Sequence, residues 1–184
     1  MYEPSEDSFL IANEIKKGIK KLIKINPDLN FLEIGCGKGI LLETALDSGV
    51  KKENILGVDI NPEVVEYCRK KGFDVIKSDL FSELKKNSIK KFDVIVFNPP
   101  YLPLDKNEPI ESRTETTGGK KGSEVINRFL KQSKKYLNEK GKIFLLTSSL
   151  TKGIDWKSWK VKKIAEKRIF FERLFVWELR AEKD

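Results

Sequence analysis

Residues 30–39, Asn-Phe-Leu-Glu-Ile-Gly-Cys-Gly-Lys-Gly, narrow the possible folds more than any other stretch of this chain. A short apolar run ends in a carboxylate, glycines follow at 35, 37 and 39, and helical spacing then runs from about Gly39 to Asp47. A strand that turns through glycines directly into a helix is the opening unit of a parallel α/β sheet. The rest of the chain repeats the alternation. Helical spacing covers 5–24, with Ile11, Ile15, Ile19 and Ile23 on one stripe. Strands are expected at 54–58, 73–76, 92–97 and 142–147, the last after a turn at Gly141. Asn61 and Pro62 open a helix over 62–71 as cap and first residue. A long polar loop at 102–120 precedes a helix over 121–138, with Val125, Phe129 and Leu137 inward. A short Trp-containing helix near 153–160 is expected next. Two β-rich runs, 161–169 and 173–180, close the chain as antiparallel neighbours because their connection is short. Together these give an α/β domain spanning 1–184, its mostly parallel sheet covered by helices on both faces.

Composition removes whole classes of chemistry. The chain has no histidine, so Ser-His and Cys-His nucleophile pairs and imidazole-ligated metals are excluded. No carboxylate cluster suggests a metal. Cys36 and Cys68 lack metal or disulfide spacing and read as reduced and buried. No apolar run is long enough for a membrane span and the first residues are acidic, so the expected location is cytoplasmic. Charge is uneven. Residues 120–184 hold 18 Lys/Arg against 8 Asp/Glu, a net of +10, while 1–119 hold 18 against 20. A basic C-terminal third could face nucleic acid, but scattered lysines are more often solvated surface.

Ligands of such sheets bind beyond the carboxyl ends of the strands, and the strand exits here carry unusual residues. At the first, Gly35 and Gly37 let the backbone approach a ligand, and Glu33 favours a cationic group over a pyrophosphate. At the second, Asp59 lies 20 residues beyond Gly39, where a carboxylate can accept from two ribose hydroxyls. At the third, Asp79 can accept from an adenine amine, with Leu80 on the ring. An adenosyl cofactor fits this set. The fourth strand ends in Asn98-Pro99-Pro100-Tyr101. The prolines hold the chain extended and remove amide donors. The Asn98 oxygen and the Pro99 carbonyl remain as acceptors for a planar NH2 group, with Tyr101 against it. Such a pocket suits chemistry on a weakly nucleophilic nitrogen, such as an amide or the exocyclic amine of a base.

Three further stretches carry a resemblance. Residues 2–10, Tyr-Glu-Pro-Ser-Glu-Asp-Ser-Phe-Leu, and 118–130, Gly-Gly-Lys-Lys-Gly-Ser-Glu-Val-Ile-Asn-Arg-Phe-Leu, are similar to parts of the HemK-like (PrmC-like) release-factor glutamine methyltransferases of the archaeal and eukaryotic type. Residues 168–174 resemble the C-terminal strand pair of that family. The resemblance implies a Rossmann-like class I methyltransferase fold: a seven-stranded, mostly parallel sheet with a C-terminal antiparallel pair. Segment 1–29 would complete the cofactor site. The cofactor implied is S-adenosylmethionine, and the implied acceptor is the glutamine of a Gly-Gly-Gln loop in a release factor. A nucleic-acid amine is the alternative acceptor. Carried onto this sequence, Asp7 and Ser8 would cap the methionine end. Glu33, Gly35 and Gly37 would line it, Asp59 would hold the ribose, and Asp79 and Leu80 the adenine. Asn98, Pro99 and Tyr101 would hold the substrate amide. The family also implies a small zinc-binding activator subunit. It would add to an edge strand at 73–77, with Phe73, Val75 and Ile76 in an exposed register.

Overall fold

The computed structural model describes residues 4–84, 90–105, 116–170 and 172–182. The helices are α1 (Glu6–Ile23), α2 (Ile40–Asp47), α3 (Pro62–Lys70) and α4 (Glu124–Ser133). The strands are β1 (Phe31–Ile34), β2 (Ile55–Asp59), β3 (Asp74–Lys77), β4 (Phe92–Phe97), β5 (Leu137–Ser148), β6 (Trp159–Ile169) and β7 (Glu172–Ala181). Among the described residues the seven strands form one sheet, ordered β3-β2-β1-β4-β5-β7-β6. β1 to β5 run parallel, and β7 lies antiparallel between β5 and β6. The order reverses at β1 and β4, so the exits of those strands form the crevice where ligands bind.

The period-two alternation of the central strands separates two cores. Phe31 and Val94 face one side, where Ile11, Ile15 and Ile19 of α1 pack with Phe144 and Val176. Leu32 and Ile95 face the other, against Ile126, Phe129 and Leu130 of α4. α1 is helical because its isoleucines recur every four residues on a buried stripe. Glu6 and Asp7 at its start and Lys20 and Lys21 at its end suit the helix dipole. In α3 the Asn61 side chain accepts from Glu63 N at 2.9 Å with Pro62 at the first position, the cap read from sequence.

Four expectations need correction. No helix forms at 153–160. Gly153 has φ +77°, and the segment is tied to α4: Asn127 Nδ2 donates to Gly153 O (3.0 Å), and Asp155 N donates to Asn127 Oδ1 (2.9 Å). Trp159 already belongs to β6, and the Trp156 ring lies 5.5 Å from that of Trp177. Gly141 is not a turn before β5, which begins at Leu137. Pairing jumps from Phe92 with Leu137 to Val94 with Lys142, so the extra residues bulge within the strand. Asp93 pins the bulge, accepting from Asn30 N (2.9 Å) and Asn138 Nδ2 (2.7 Å). The helix expected over 121–138 ends at Ser133, and Leu137 is buried from β5. Finally, β3 is the sheet edge, as expected, but Phe73 and Val75 are buried and Ile76 half-buried, while Asp74 and Lys77 are exposed. α3 supplies the cover, since Val64, Val65 and Cys68 join the same core as Phe73 and Val75.

The excess positive charge is spread along the opposite edge. β6 exposes Lys160, Lys162, Lys163, Lys167 and Arg168, and lysines on an edge strand discourage pairing with another chain. Several of the basic groups are already matched: Lys163 and Arg173 with Glu166, Lys142 and Arg180 with Glu178.

Candidate functional site

At the β1 and β4 exits lies a cavity of about 590 Å³. Each residue singled out from sequence as a site residue borders it. Asp7 and Ser8 come from α1, Glu33 to Gly37 from the β1 turn, Asp59 from β2, Asp79 and Leu80 from the β3 exit, and Asn98, Pro99 and Tyr101 from the β4 exit.

The glycine turn is continuous with the sheet. Gly35 N and Cys36 N both donate to Val58 O, at 2.7 and 3.1 Å, extending the ladder by one step. The chain then turns through left-handed φ at Gly35, Gly37 and Gly39. Asp59 braces this turn. One of its oxygens accepts from Gly37 N at 3.1 Å and the other from Asn61 N at 2.9 Å. Each carboxylate oxygen has a second lone pair, so Asp59 can hold the turn and still accept from a ligand hydroxyl.

Glu33 is 2% exposed, and its Oε2 has no hydrogen-bond partner. Burial pushes its carboxyl well above the usual range. Cys68 and the Asp59 carboxylate add to the push, against a backbone N–H from Leu42. Burial therefore favours the neutral form of this cavity-lining residue, and a cation beside it would favour the charged form. Beneath the turn, Cys36 and Cys68 are both buried, and Cys68 Sγ donates to Gly37 O at 3.3 Å. The hydrogen bond with Cys68 and then burial raise the Cys36 thiol far above its ordinary value, keeping it a protonated packing group.

At the β3 exit, Leu80 has φ +52°, a conformation costly for a side chain with Cβ, on the order of 1–2 kcal/mol. Ser78 holds it there, its hydroxyl donating to Leu80 O (3.0 Å) and accepting from Glu83 N (3.0 Å). Asp79 is paired with Arg128 of α4, Nη2 to Oδ2, at 2.5 Å. Sequence reasoning missed Arg128. Its only signal was helical position, on the turn of α4 that carries inward Phe129 and Val125.

At the β4 exit, Asn98 Nδ2 and the Tyr101 hydroxyl donate to Asp7 Oδ2, at 3.4 and 3.2 Å. Asn98 Oδ1 is buried and has no hydrogen-bond partner. The 118–122 segment packs against this backbone. A Cβ on Gly118 would lie 2.4 Å from Pro100 O and 2.3 Å from Gly122 O, so only glycine fits. Thr151 Oγ1 donates to Tyr101 O at 2.8 Å, another support that sequence did not reveal. Leu102 N donates to Thr116 O and Gly118 N to Leu102 O, both at 2.9 Å, closing the base of the 102–120 loop. Residues 106–115 of that loop lie outside the described residues. Among the described residues no group of side chains is arranged to hold a metal ion, and no helix is long and apolar enough to cross a membrane.

Comparison with known proteins adds a name to this geometry. A family described as a methyltransferase domain matches residues 25–169. A relative from Methanocaldococcus jannaschii named for protein N5-glutamine methyltransfer is 38% identical, over 97% of this chain and 92% of its own. Human methyltransferase HEMK2 is 28% identical over 80% of this chain and 71% of its own. The eRF1 methyltransferase catalytic subunit of Schizosaccharomyces pombe is also 28% identical, over 83% and 74%. Among solved structures, the E. cuniculi Mtq2-Trm112 complex shares the fold, with a TM-score of 0.71 over 98% of both chains at 23% identity. A methyltransferase-domain match over residues 25–169 and this degree of identity to a glutamine methyltransferase place the chain in the protein N5-glutamine methyltransferase family.

Proposed function

We propose that this enzyme transfers the methyl group of S-adenosylmethionine to the side-chain nitrogen of the glutamine in the Gly-Gly-Gln loop of a translation release factor. The observation that carries the reading is Asn98 Oδ1, a buried acceptor without a partner on a residue that lines the cavity. An amide NH2 is the donor it lacks. The name of the fission-yeast relative, an eRF1 methyltransferase, supports the choice of protein substrate.

The residues present fit the cofactor. Glu33 would face its cationic end, the Gly35–Gly37 backbone would allow close approach, and Asp59 and Asp79 would take the ribose and adenine. When bound, the sulfonium supplies a strongly electrophilic methyl group. The chain's own contribution is alignment and exclusion of water. An amide nitrogen is a poor nucleophile because its lone pair is delocalised. Asn98 Oδ1 and the Pro99 carbonyl, accepting its two N–H bonds, would hold the plane of the amide so that the lone pair can point at the methyl. Both contacts strengthen as positive charge grows on that nitrogen, and they therefore lower the barrier more than they stabilise the ground state. The cationic product amide is strongly acidic and loses its extra proton to water, so no histidine is needed.

A small zinc-binding partner would add to the β3 edge. The E. cuniculi enzyme of the same fold is a complex with a second protein, Trm112. Exposed Asp74 and Lys77 and half-buried Ile76 would meet it there. The test is transfer of labelled methyl to a purified archaeal release factor, with and without such a partner, beside a factor whose loop glutamine is replaced. Label that disappears with that glutamine is the expected result. Cofactor binding without label on either factor would overturn the proposed acceptor.

A further inference from the structure

We infer that Asp7, carried in on the first turn of α1, is a positioning residue that fixes which face of the Asn98 carboxamide the substrate meets. The inference rests on the reading that Asn98 receives the substrate nitrogen. It gives Asp7 a different task from the capping of the cofactor that resemblance implies.

Asp7 is 4% exposed and its two oxygens are divided between two sets of donors. Oδ1 accepts from Ser8 N at 2.6 Å and the Ser5 hydroxyl at 2.8 Å, contacts within α1 and its cap. Oδ2 accepts from Asn98 Nδ2 and the Tyr101 hydroxyl. At 3.4 and 3.2 Å these are long contacts of the kind that shorten when a ligand closes a site. A carboxylate accepts and does not donate. The Asn98 group turned towards Asp7 must therefore be its NH2, and Oδ1 is directed away from Asp7, buried and unpartnered, on a residue that lines the cavity. Without a fixed acceptor on that side, the amide could rotate by half a turn and present a donor to the substrate NH2. Two donors facing each other would oppose the alignment that transfer requires.

This logic makes a specific prediction for the isosteric change Asp7→Asn. The backbone N–H of Ser8 cannot move and demands an oxygen, so the introduced amide turns its NH2 towards Asn98. Asn98 then flips and the pocket changes from acceptor to donor. Restoring the pair in reverse should rescue it. In Asp7→Asn/Asn98→Asp, the carboxylate at 98 accepts from position 7 with one oxygen and faces the cavity with the other. Asn98→Asp alone sets two carboxylates side by side.

The three variants and the wild type would be assayed on the release factor together with the partner subunit. Calorimetry would follow S-adenosylhomocysteine binding, and nuclear magnetic resonance would follow the Asn98 side-chain NH2. The expected result for Asp7→Asn is unchanged affinity for S-adenosylhomocysteine and kcat lower on the order of 10²-fold, as for removal of one stabilising hydrogen bond at a reacting centre. The double variant should exceed both single variants by about tenfold or more, the signature of coupled neighbours. In wild type the Asn98 NH2 protons should exchange slowly, and in Asp7→Asn they should exchange faster at a shifted position. Wild-type kcat in Asp7→Asn, a loss of S-adenosylhomocysteine affinity that matches the loss of activity, or losses that simply add in the double variant would each overturn the inference. The resonance signal does not depend on the acceptor. A wild type that methylates no release factor would therefore sink the proposed substrate, and an Asn98 signal unmoved by Asp7→Asn would sink this inference.

Discussion

Glu33→Gln should stabilise the cofactor-free protein, and only away from acid pH. The two side chains have the same shape, so packing is conserved and the charge alone is removed. Glu33 is buried, with one oxygen unpartnered and its carboxyl held well above the ordinary value of 4.5, chiefly by burial. In the folded state it keeps a proton that the unfolded chain has already released. Stability from this group is therefore complete below about the ordinary value and falls as pH rises towards the folded one. An unsatisfied buried acceptor costs about 1–3 kcal/mol, and a charged one more. A gain of about 2 kcal/mol for the amide on the alkaline side corresponds to a rise in Tm of about 4–8 °C for a chain of this size. Thermal unfolding of both proteins between pH 4.5 and 8.5 would read it, with the curves converging at the acid end. Binding should move the opposite way. The cation of the cofactor pulls Glu33 back to its charged form, so wild type should release a proton on uptake. The binding enthalpy would then depend on the heat of ionisation of the buffer, and in Glu33→Gln that dependence should vanish as affinity falls. A stability difference independent of pH, or a variant less stable throughout, would refute the reasoning.

Asn98→Ala should keep cofactor affinity by calorimetry while methyl transfer falls on the order of 10²-fold or more, because the lost acceptor matters most as charge develops. Gly118→Ala forces a methyl group into the Pro100 and Gly122 carbonyls. It should lower activity with little change in cofactor binding, and a fully active protein would show that the 118–122 segment can shift freely. Phe129→Ala empties a site shared with Phe81 and Phe97, whose rings lie 5.7 and 4.8 Å away, and should cost about 3–5 kcal/mol in denaturant unfolding. Arg128→Ala should weaken adenosylmethionine binding by a few-fold, with thermal stability nearly unchanged because the ion pair is half exposed.

Where one local rule dominated, sequence was a sufficient guide. β4 was read to its exact ends because an apolar run stops at two prolines. The Asn61-Pro62 cap, the glycine turn and the Asp59 exit each depend on residues adjacent in sequence. The misreadings share a different cause. Gly141 resembles a turn, yet Asp93 and Asn138, 45 residues apart, make the bulge that keeps β5 continuous. The 153–160 segment has helical composition, but the Asn127 side chain of α4 takes backbone groups of Gly153 and Asp155 first. β3 seemed exposed because nothing in its own residues says that α3 folds over Val75. At the site the pattern is the same. Chemical types were legible, but their partnerships were not: Arg128 with Asp79, Thr151 with Tyr101 and Asp7 with Asn98 all join distant segments.

The placement of α1 bears on how the enzyme comes into being. This helix precedes β5, β6 and β7 along the chain, yet it packs against all three, and Glu6 contacts Lys167. Its long-range partners have not been synthesised while the glycine turn and the β4 exit are emerging from the ribosome. Until β5 and then the β6–β7 hairpin appear, α1 docks chiefly on α2, and its buried stripe of isoleucines is left partly uncovered. A nascent chain can thus possess the cavity-lining residues of the β1, β2 and β4 exits and still lack a secured Asp7. Catalytic competence should arrive in one late step, when α1 and the β6–β7 hairpin close on each other.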